Sequence, residues 1–431
     1  MKRYSEYKDS GVKWIGEIPG HWKKNKIMRL FTHIGSGTTP KGDQYYTDES
    51  NGIPWINSGD LNYGFLTKCN KYITEKALND ISTLKKYPIN TLMIAMYGAS
   101  IGKYAISHIE GCTNQACCAL YGIKDELNLT YASYLMGPCK QKWIEESFGG
   151  TQPNISAEKI KQTWLPLPPL PEQEAIVTYL DSKVAKIDEY ISIAEKKIAA
   201  LEELKQTIIA EAVTRGIHKD VLMKDSGVKW IGMIPEHWKV MRLSQIAYEH
   251  FISNKKIHHQ NLLSLSYGQI IRKDINGTNG LLPASFDTYQ VVEEGNIILR
   301  LTDLQNDHKS LRVGLVKETG IITSAYLCLA PKNMVYSKFL YFQLHACDIK
   351  KVFYSMGDGL RQSLNYDGMR KLASVIPPLP EQQEIVTYIE AKVAKIDQLC
   401  QAERSQIEKL KEYKQRLISD VVTGKVKVTN D

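Results

Sequence analysis

The sequence predicts an α+β fold with pseudo-two-fold symmetry, in which two mixed α/β domains are separated by two long antiparallel helices that form a coiled coil. Two observations predict this fold. The framework of the chain occurs twice, and the second of its repeated motifs leads into a long segment with the apolar spacing of a helix. The expected segments are a first domain at 1–165, a central repeated helix at 166–223, a second domain at 224–375 and a C-terminal repeated helix at 376–431.

Two sequence motifs form the repeated framework. The first, KDSGVKWIG followed by IP and HWK, matches at 14 of 16 positions, and the second, which begins PPLPEQ, matches at 16 of 21. The copies lie at 8–23 and 224–239 for the first motif, and at 168–188 and 377–397 for the second. Between them, insert 1 (31–164) and insert 2 (244–374) have no comparable similarity to each other. A repeated framework with different inserts indicates one molecule that recognises two different things.

Each long segment begins at a proline cluster and ends at a glycine. The first runs from Glu172 to about Arg215 without proline or glycine, and its apolar residues alternate steps of three and four. They are Ile176, Leu180, Val184, Ile187, Ile191, Ala194, Ile198, Leu201, Leu204 and Ile208. The second segment, from Glu381 to about Thr423, repeats this narrow stripe. A helix about 60 Å long cannot bury such a stripe alone, so the two are expected to pack together. Separate helices, each on its own domain, are the alternative.

The order of segments predicts the direction of the two helices. Each insert is followed by one helix, so two copies related by rotation place the helices antiparallel and the inserts at opposite ends. Because duplex DNA has its own dyads, two related modules of this kind suit half-sites at a fixed separation.

Short β-like runs between turn signals fill both inserts. They are Thr91–Tyr97, Lys103–His108 and Ala116–Tyr121 in insert 1, and Asn296–Leu301, Arg312–Val316 and Tyr326–Ala330 in insert 2. Glycine and asparagine separate them, as at Gly35–Gly37 and Asn276–Gly277. We therefore expect two mixed α/β domains with polar loops available for contact.

Composition favours a globular, cytoplasmic protein. The chain has 431 residues, of which 43% are apolar. No window approaches the roughly 18 unbroken apolar residues of a membrane helix. Lys2 and Arg3 are not followed by the apolar segment of a signal peptide. The eight cysteines lack zinc-site spacing, so reduced, mostly buried thiols are expected.

The net charge of +8 is concentrated in the two segments that contain the inserts. Residues 1–165 hold 20 Lys and Arg against 15 Asp and Glu, and residues 224–375 hold 19 against 13. The repeated helices hold 7 against 10 and 9 against 9. A polyanionic partner that contacts the inserts explains this distribution. An ordinary solvated surface on a mildly basic protein is the alternative.

The sequence carries no catalytic signature that we could find. GASIGK at 98–103 resembles a phosphate loop, but it has three residues between its glycines instead of four, and Tyr104 replaces the Ser or Thr. An adenine methyltransferase would carry an Asn- or Asp-Pro-Pro-aromatic loop, whereas both Pro-Pro pairs here follow Leu167 or Ile376. The histidines lack partners at metal or triad spacing. We expect a non-catalytic chain that binds no metal or cofactor itself.

Side chains suited to nucleic acid occur in both inserts. Arg pairs with guanine, Asn and Gln pair with adenine, and Lys suits phosphate. The candidate DNA-binding residues of insert 1 are Ser36, Thr38, Thr39, Lys41, Asn57, Ser58, Tyr97, Lys103, Asn114, Gln115, Thr151 and Gln152. Those of insert 2 are Arg272, Lys273, Arg300, Asp303, Gln305, Asn306, Lys309, Arg312, Arg361 and Gln362. Each residue alone is more often an ordinary loop residue, but their joint placement in basic inserts favours DNA recognition.

The order of these features resembles the specificity (S) subunit of a type I restriction-modification system. An insert, a PPLPEQ-led helix, a second insert and a second PPLPEQ-led helix follow one another, and KDSGVKWIG opens each half. The resemblance covers nearly the whole chain. It implies that the inserts are target recognition domains, one for each half of a bipartite DNA sequence, and that the repeated helices hold them apart.

The resemblance also implies partners. They are double-stranded DNA, two methyltransferase (modification) subunits and, in a complete assembly, restriction (translocase and endonuclease) subunits. S-adenosylmethionine, ATP and Mg would belong to those partner subunits, and this chain would have no catalytic centre.

Insert 1 accounts for the more detailed part of the resemblance. The segments that look like a common type of first recognition domain are GSGTTPK at 35–41, IPWINSGDL at 53–61, MYGASIGK at 96–103 and TNQACC at 113–118. Insert 2 departs from this pattern, so different half-sites are expected.

Two other interpretations of the chain are a free-standing DNA-binding regulator with a coiled-coil interaction handle and a nuclease or methyltransferase. The duplicated framework disfavours the regulator, and the missing loops disfavour the enzyme.

Overall fold

The computed structural model describes residues 2–147, 153–218, 220–275, 283, 285–304, 311–356 and 363–428. The chain divides into two compact units, described separately below. Unit 1 comprises Met1–Ala194 and Ser405–Asp431, and unit 2 comprises Glu195–Arg404. Each unit therefore contains one insert, one copy of the first motif and parts of both long helices.

Unit 1 is built mainly of short strands. The strands are β1 (Tyr7–Asp9), β2 (Glu17–Pro19), β3 (Lys23–Lys26), β4 (Phe31–Ser36), β5 (Tyr46–Thr47), β6 (Ile53–Ile56), β7 (Phe65–Leu66), β8 (Tyr72–Ile73), β9 (Thr91–Ala95), β10 (Tyr104–Ser107), β11 (Cys112–Thr113), β12 (Cys117–Ile123) and β13 (Trp164–Leu167). The helices are α1 (Ile27–Leu30), α2 (Glu75–Asp80), α3 (Leu129–Glu145), α4 (Ala157–Lys161) and the first part of α5 (Leu170–Arg215). Short 3-10 turns cover Asp43–Tyr45 and Gly98–Ser100.

Unit 2 has a similar mixture of elements. After the end of α5 come the strands β14 (Met223–Asp225), β15 (Met233–Pro235), β16 (Lys239–Arg242), β17 (Ala247–Glu249), β18 (Leu263–Ser266), β19 (Gln269–Arg272), β20 (Gln290–Val292), β21 (Ile297–Leu299), β22 (Val313–Leu315), β23 (Gly320–Ile322), β24 (Leu327–Pro331) and β25 (Ala373–Ile376). The helices are α6 (Leu243–Ile246), α7 (Ser337–Ile349), α8 (Tyr366–Met369) and α9 (Leu379–Val422), and 3-10 turns cover Asn254–Lys256 and Val352–Ser355. The last part of α9 belongs to unit 1.

The main sheets of the two units share the order of their first four strands, and the sheet of unit 1 has a fifth strand. The order is β4-β12-β9-β10-β7 in unit 1 and β17-β24-β21-β22 in unit 2. The first three neighbouring pairs of each sheet are antiparallel. The strands also correspond in chain order: β4 with β17, β9 with β21, β10 with β22, and β12 with β24. The predicted mixed α/β domains are confirmed, and two inserts without comparable sequence similarity share a four-stranded core.

A helix covers one face of each main sheet. In unit 1, Ile94 of β9 shares a buried core with Leu135 of α3. In unit 2, Leu299 of β21 shares one with Leu344 of α7. This burial of apolar surface is the main stabilising contribution that each sheet receives.

The units differ in what is added to the common sheet. Unit 1 adds the four-stranded sheet β11-β6-β8-β5, with Trp55 and Ile73 in a small core beside α2. Unit 2 adds the hairpin β18-β19 and the pair β20-β23. The structural difference between the inserts is therefore concentrated outside the shared strands.

The long helices begin slightly earlier than predicted. Helix α5 has 46 residues and α9 has 44, and each begins two residues before the expected glutamate. Pro171 and Pro380 lie in the first turn, where a missing N–H breaks no helical hydrogen bond. Within the described ranges, no helix is both long and apolar enough to cross a membrane.

The two long helices pack together in antiparallel directions, as predicted. In unit 1, Leu180 near the start of α5 shares a core with Val421 near the end of α9. In unit 2, Val213 near the end of α5 shares a core with Ile389 near the start of α9. In each unit, therefore, the beginning of one helix is paired with the end of the other.

The buried stripe of α5 changes near its C-terminal end. Leu204, which the spacing places in the stripe, is 49% exposed, whereas Ile209 and Val213 are buried. Here α5 packs against Ile234 and Trp238 of the first motif as well as against α9. The buried face of α5 therefore turns toward the second copy of the first motif, a contact that the spacing of apolar residues alone did not predict.

A buried glutamate joins the two repeated motifs in unit 1. The indole Nε1 of Trp22 donates to Glu172 Oε2 at 3.0 Å, and His21 Nε2 lies 2.8 Å from the same oxygen. The Tyr4 hydroxyl donates to the other carboxylate oxygen. We call His21, Trp22 and Glu172 framework cluster 1.

Unit 2 repeats this arrangement as framework cluster 2, which consists of His237, Trp238 and Glu381. Trp238 Nε1 donates to Glu381 Oε1 at 3.0 Å, and His237 Nε2 lies 2.8 Å from Oε2. The matching contacts explain why HW in the first motif and PEQ in the second recur together: they form one hydrogen-bonded cluster in each unit.

The glutamine of PEQ orients the helix that covers each sheet. Gln173 Oε1 accepts the N–H of Asn128, the residue before α3, at 2.8 Å. Gln382 Oε1 accepts the N–H of Tyr336, the residue before α7, at 2.8 Å. The repeated framework thus holds each insert through the start of its own helix.

Candidate nucleic-acid interface

Most candidate DNA-binding residues of insert 1 lie at one edge of the main sheet of unit 1. Ser36 ends β4 opposite Cys118, near the start of β12, so both strand ends meet at this edge. Ala95 ends β9 here, and its N–H donates at 2.8 Å to the carbonyl of Lys103, which directly precedes β10. We call this surface loop edge 1. It comprises residues 36–41, 57–58, 96–103 and 114–116.

Close backbone contacts fix the loop after β4. The N–H of Gly37 donates to the Asn114 carbonyl at 3.2 Å. A Cβ atom on Gly37 would lie 1.6 Å from the Thr113 carbonyl oxygen, so a larger residue would displace the loop. The hydroxyl of Thr39 donates to Gln115 Oε1 at 2.5 Å. The first and last segments of loop edge 1 are therefore directly connected.

Asn57 and Ser58 form a turn after β6. Asn57 Oδ1 accepts the N–H of Gly59 at 3.1 Å, and the Asn57 N–H donates to the Asp60 carboxylate at 2.9 Å. Asp60 is buried, and Ser58 is half-buried. The N–H of Asn114 donates to the carbonyl of the last residue of β6 at 3.3 Å, which places the turn within loop edge 1.

The side chains of loop edge 1 differ in their availability. Ser36, Lys41 and Gln115 are exposed, and Tyr97 is 43% exposed. Thr38, Thr39, Lys103 and Asn114 are half-buried. This surface presents hydroxyl, amide and ammonium groups side by side, which suits contact with base edges and phosphate.

Arg300 and Arg312 occupy the corresponding edge of the unit 2 sheet. Arg300 follows β21, Arg312 precedes β22, and the Arg300 N–H donates to the Arg312 carbonyl at 2.9 Å. The same bond joins Ala95 to Lys103 in unit 1. Arg312 therefore stands in unit 2 where Lys103 stands in unit 1. We call residues 300–304 and 311–312 loop edge 2.

Arg312 is completely buried. Its guanidinium donates to the carbonyls of Arg300 at 3.1 Å, Thr302 at 2.8 Å and Asp303 at 3.2 Å. Its Nε donates to the Tyr354 hydroxyl at 3.2 Å. Arg312 therefore holds the backbone of loop edge 2, and reading a base would require it to leave these contacts.

Arg272 and Lys273 are not part of loop edge 2. Arg272 ends β19, where its Nε donates to Glu318 Oε1 at 2.5 Å, and Lys273 is exposed. The hydrogen bonds from Arg272 lower the pKa of the Glu318 carboxyl. Arg272 and Lys273 lie at the open end of the β18-β19 hairpin, away from its turn.

The remaining candidates divide into two groups. Arg300 and Asp303 are half-buried at loop edge 2, and Asp303 has a φ of +56°. The candidates outside the described residues are Thr151, Gln152, Gln305, Asn306, Lys309, Arg361 and Gln362.

The clustered cysteines of insert 1 are packing residues. Cys112, Cys117 and Cys118 are free and fully buried, as the sequence predicted. Burial raises the pKa of Cys112 to about 11 and those of Cys117 and Cys118 to about 12, so the thiols stay protonated. Among the described residues, no group of three or more His, Cys, Asp or Glu side chains is placed to hold a metal ion.

Two exposed tyrosines near the loop edges, Tyr63 and Tyr267, were not among the candidates. Each is followed by glycine. A Tyr-Gly pair between two β-like runs is the signal that could have found them.

Comparisons with known proteins agree with this architecture. Residues 19–203 match the model of the type I restriction modification DNA specificity domain. The chain is 26% identical to the type I restriction enzyme MjaIX specificity subunit of Methanocaldococcus jannaschii, over 98% of this chain and 97% of that protein. It is 21% identical to the type I restriction enzyme EcoBI specificity subunit of Escherichia coli, over 73% of this chain and 69% of that protein.

The fold has a solved counterpart. A chain from a structure of a type I restriction-modification system superposes with a TM-score of 0.66 at 14% identity, covering 94% of this chain and 98% of that chain. The matched model is described as a DNA specificity domain, and both named relatives are specificity subunits of type I restriction enzymes. The chain is similar to the specificity subunits of type I restriction-modification systems, in agreement with the resemblance carried by its repeated motifs.

Proposed function

We propose that the chain reads a bipartite sequence in double-stranded DNA, with loop edge 1 contacting one half-site and loop edge 2 the other. One observation carries this proposal: the two units share a strand order but present different side chains at the same edge. A common sheet supports a common way of meeting the duplex. Different side chains at its edge support different base preferences.

The chemistry of each edge supports base reading. At loop edge 1, Gln115 Oε1 accepts the Thr39 hydroxyl, which leaves the amide N–H groups of Gln115 for a base acceptor. The exposed ammonium of Lys41 suits a phosphate. At loop edge 2, Arg300 has the donor geometry that pairs with guanine.

We further propose that the repeated framework binds two methyltransferase subunits. Framework clusters 1 and 2 have the same residue types and matching distances, so the chain repeats one local structure, with an exposed histidine at each copy. Two copies of one partner fit two copies of one local structure. S-adenosylmethionine would be held by those partners, and ATP and Mg by restriction subunits when they join. The contribution of this chain is to place the partners on a chosen sequence.

Co-expression tests the scaffolding role. When the full chain is produced with the methyltransferase subunit encoded beside it, we expect a complex of one chain to two methyltransferase subunits. Native mass spectrometry measures this ratio. A chain that purifies alone would contradict the proposal and favour a free-standing DNA-binding regulator.

Exchange of an insert tests the bipartite reading. Replacing residues 31–164 with the same region of a related specificity subunit is expected to change one half of the methylated sequence. The other half should stay the same because unit 2 is untouched. Sequencing of methylated bases in host DNA measures both halves, and replacement of residues 244–374 is the reciprocal control. A change in both halves would contradict the assignment of one half-site to each unit.

A further inference from the structure

One tyrosine in each unit adopts a left-handed backbone conformation beside a loop edge. Tyr63 has a φ of +64° and Tyr267 has a φ of +48°. Large aromatic residues rarely adopt positive φ, because the Cβ atom crowds the backbone. Each tyrosine precedes a glycine, and among residues other than glycine it is asparagine, aspartate and histidine that are enriched at positive φ. The tyrosines are therefore not explained by the turns that hold them.

The turn at Tyr63 is attached to loop edge 1. The Tyr63 N–H donates at 2.8 Å to the carbonyl of Tyr104, the first residue of β10, which directly follows Lys103. The rings of Tyr63 and Tyr104 meet edge to face, with centroids 5.5 Å apart. These contacts hold the Tyr63 ring in one orientation while leaving the residue 48% exposed.

The turn at Tyr267 is attached to loop edge 2. Tyr267 and Gly268 form the two-residue turn of the β18-β19 hairpin, between the paired Ser266 and Gln269. A Cβ atom on Gly268 would lie 2.9 Å from Cβ of Leu311, the residue before Arg312. The hairpin turn therefore packs on loop edge 2, and Tyr267 is 84% exposed.

The two placements are equivalent although the segments that carry them are not. Tyr63 precedes an edge strand that runs parallel to β10, whereas Tyr267 lies in a hairpin that packs beside β22. Both segments place an exposed tyrosine beside the start of corresponding strands, β10 in unit 1 and β22 in unit 2. Because the inserts lack comparable sequence similarity, a shared function explains this coincidence better than a shared packing requirement.

We propose that Tyr63 and Tyr267 are DNA-contact residues, one for each half-site, whose rings pack against nucleotides of the duplex. This inference rests on the proposed function of the two loop edges. Aromatic rings contribute to nucleic-acid binding by stacking on bases or wedging between base steps, which needs an exposed and rigidly held ring. At Tyr63 the ring contact with Tyr104 provides that rigidity, and at Tyr267 the packed turn fixes the backbone that carries the ring.

Substitution by asparagine separates binding from folding. In the complex with methyltransferase subunits, Tyr63→Asn and Tyr267→Asn are each expected to weaken binding at least tenfold to a duplex carrying the sequence that the wild-type complex methylates. Tyr267→Asn should be at least as stable as the wild type, because asparagine tolerates positive φ better than tyrosine. Tyr63→Asn should stay folded, because the relief of positive φ offsets the loss of the ring contact with Tyr104. Tyr63→Phe and Tyr267→Phe should bind within twofold of the wild type because the ring is retained. Tyr190→Asn, on the exposed face of α5, is the control for the loss of a surface tyrosine.

The possible failures are distinct. If the wild-type complex shows no preference for its methylated sequence, the proposed function fails. If the wild type binds and both asparagine variants bind equally well, this inference alone is overturned. Equal losses for the Phe and Asn variants would overturn the ring contact. The ring contact would also be overturned if the variants bound DNA more weakly only because they had lost their methyltransferase subunits.

Discussion

Arg312→Ala is expected to lower the free energy of unfolding of unit 2 by about 3–5 kcal/mol. The buried guanidinium donates to the carbonyls of Arg300, Thr302 and Asp303, and its removal takes away these hydrogen bonds and leaves a cavity. Hydrogen–deuterium exchange of β21, β22 and α7 measures the loss. DNA binding should fall as well, because loop edge 2 loses its internal support.

Lys273→Ala is the matched control for Arg312→Ala, since it removes a cation from the exposed surface of the same unit. It should leave exchange within unit 2 unchanged. Arg312→Ala with wild-type stability but lost DNA affinity would show instead that Arg312 leaves its carbonyl partners and reads a base.

Glu172→Ala is expected to destabilise unit 1 by about 3 kcal/mol, and Glu381→Ala to destabilise unit 2 by less. Without Glu172, the buried Trp22 indole N–H and the Tyr4 hydroxyl each lose the hydrogen bond that they donate to its carboxylate. The effect of Glu381→Ala should be smaller because Glu381 contacts His237 and Trp238, whereas Glu172 also accepts a hydrogen bond from Tyr4. Exchange measured separately for peptides of the two units tests both the magnitudes and the order.

Exposed neighbours provide controls for the framework clusters. Glu174→Ala and Gln383→Ala change side chains in the first turns of the same helices, outside the clusters. Both should match the wild type. Equal exchange for Glu172→Ala and the wild type would mean that the cluster does not stabilise unit 1, and the repeated residues would then need another explanation.

Much of the fold could be predicted because its signals are local and repeated. The six predicted β-like runs all contain strand residues. The packing of α5 on α9 follows from their matching apolar stripes, and its antiparallel direction follows from the order of inserts and helices. The exposure of Leu204 could not be predicted in this way. It depends on the first motif packing against α5, which is a contact between residues far apart in the chain.

The structure shows where the described candidate DNA-contact residues lie, and their role in binding stays a prediction. Loop edge 1 unites four separated segments: antiparallel pairing of β4, β12, β9 and β10 brings three of them to one side, and the contact of Asn114 with the end of β6 adds residues 57–58. Arg312 illustrates the limit: an arginine beside a polar loop is typical of a base reader, yet its donors are directed inward. Tyr63 and Tyr267 went unnoticed because positive φ at a tyrosine runs against the preferences on which sequence interpretation depends.

The division of the chain into units has a consequence for synthesis on the ribosome. Unit 2 is one continuous stretch, whereas unit 1 is completed only when the end of α9 supplies Leu417, Val421 and Val422 to its core. The core of unit 1 is therefore completed only after all of unit 2 has been synthesised. Until that part of α9 is made, the apolar side chains at the start of α5 lack their partners on α9, and apolar surface stays exposed on the nascent chain.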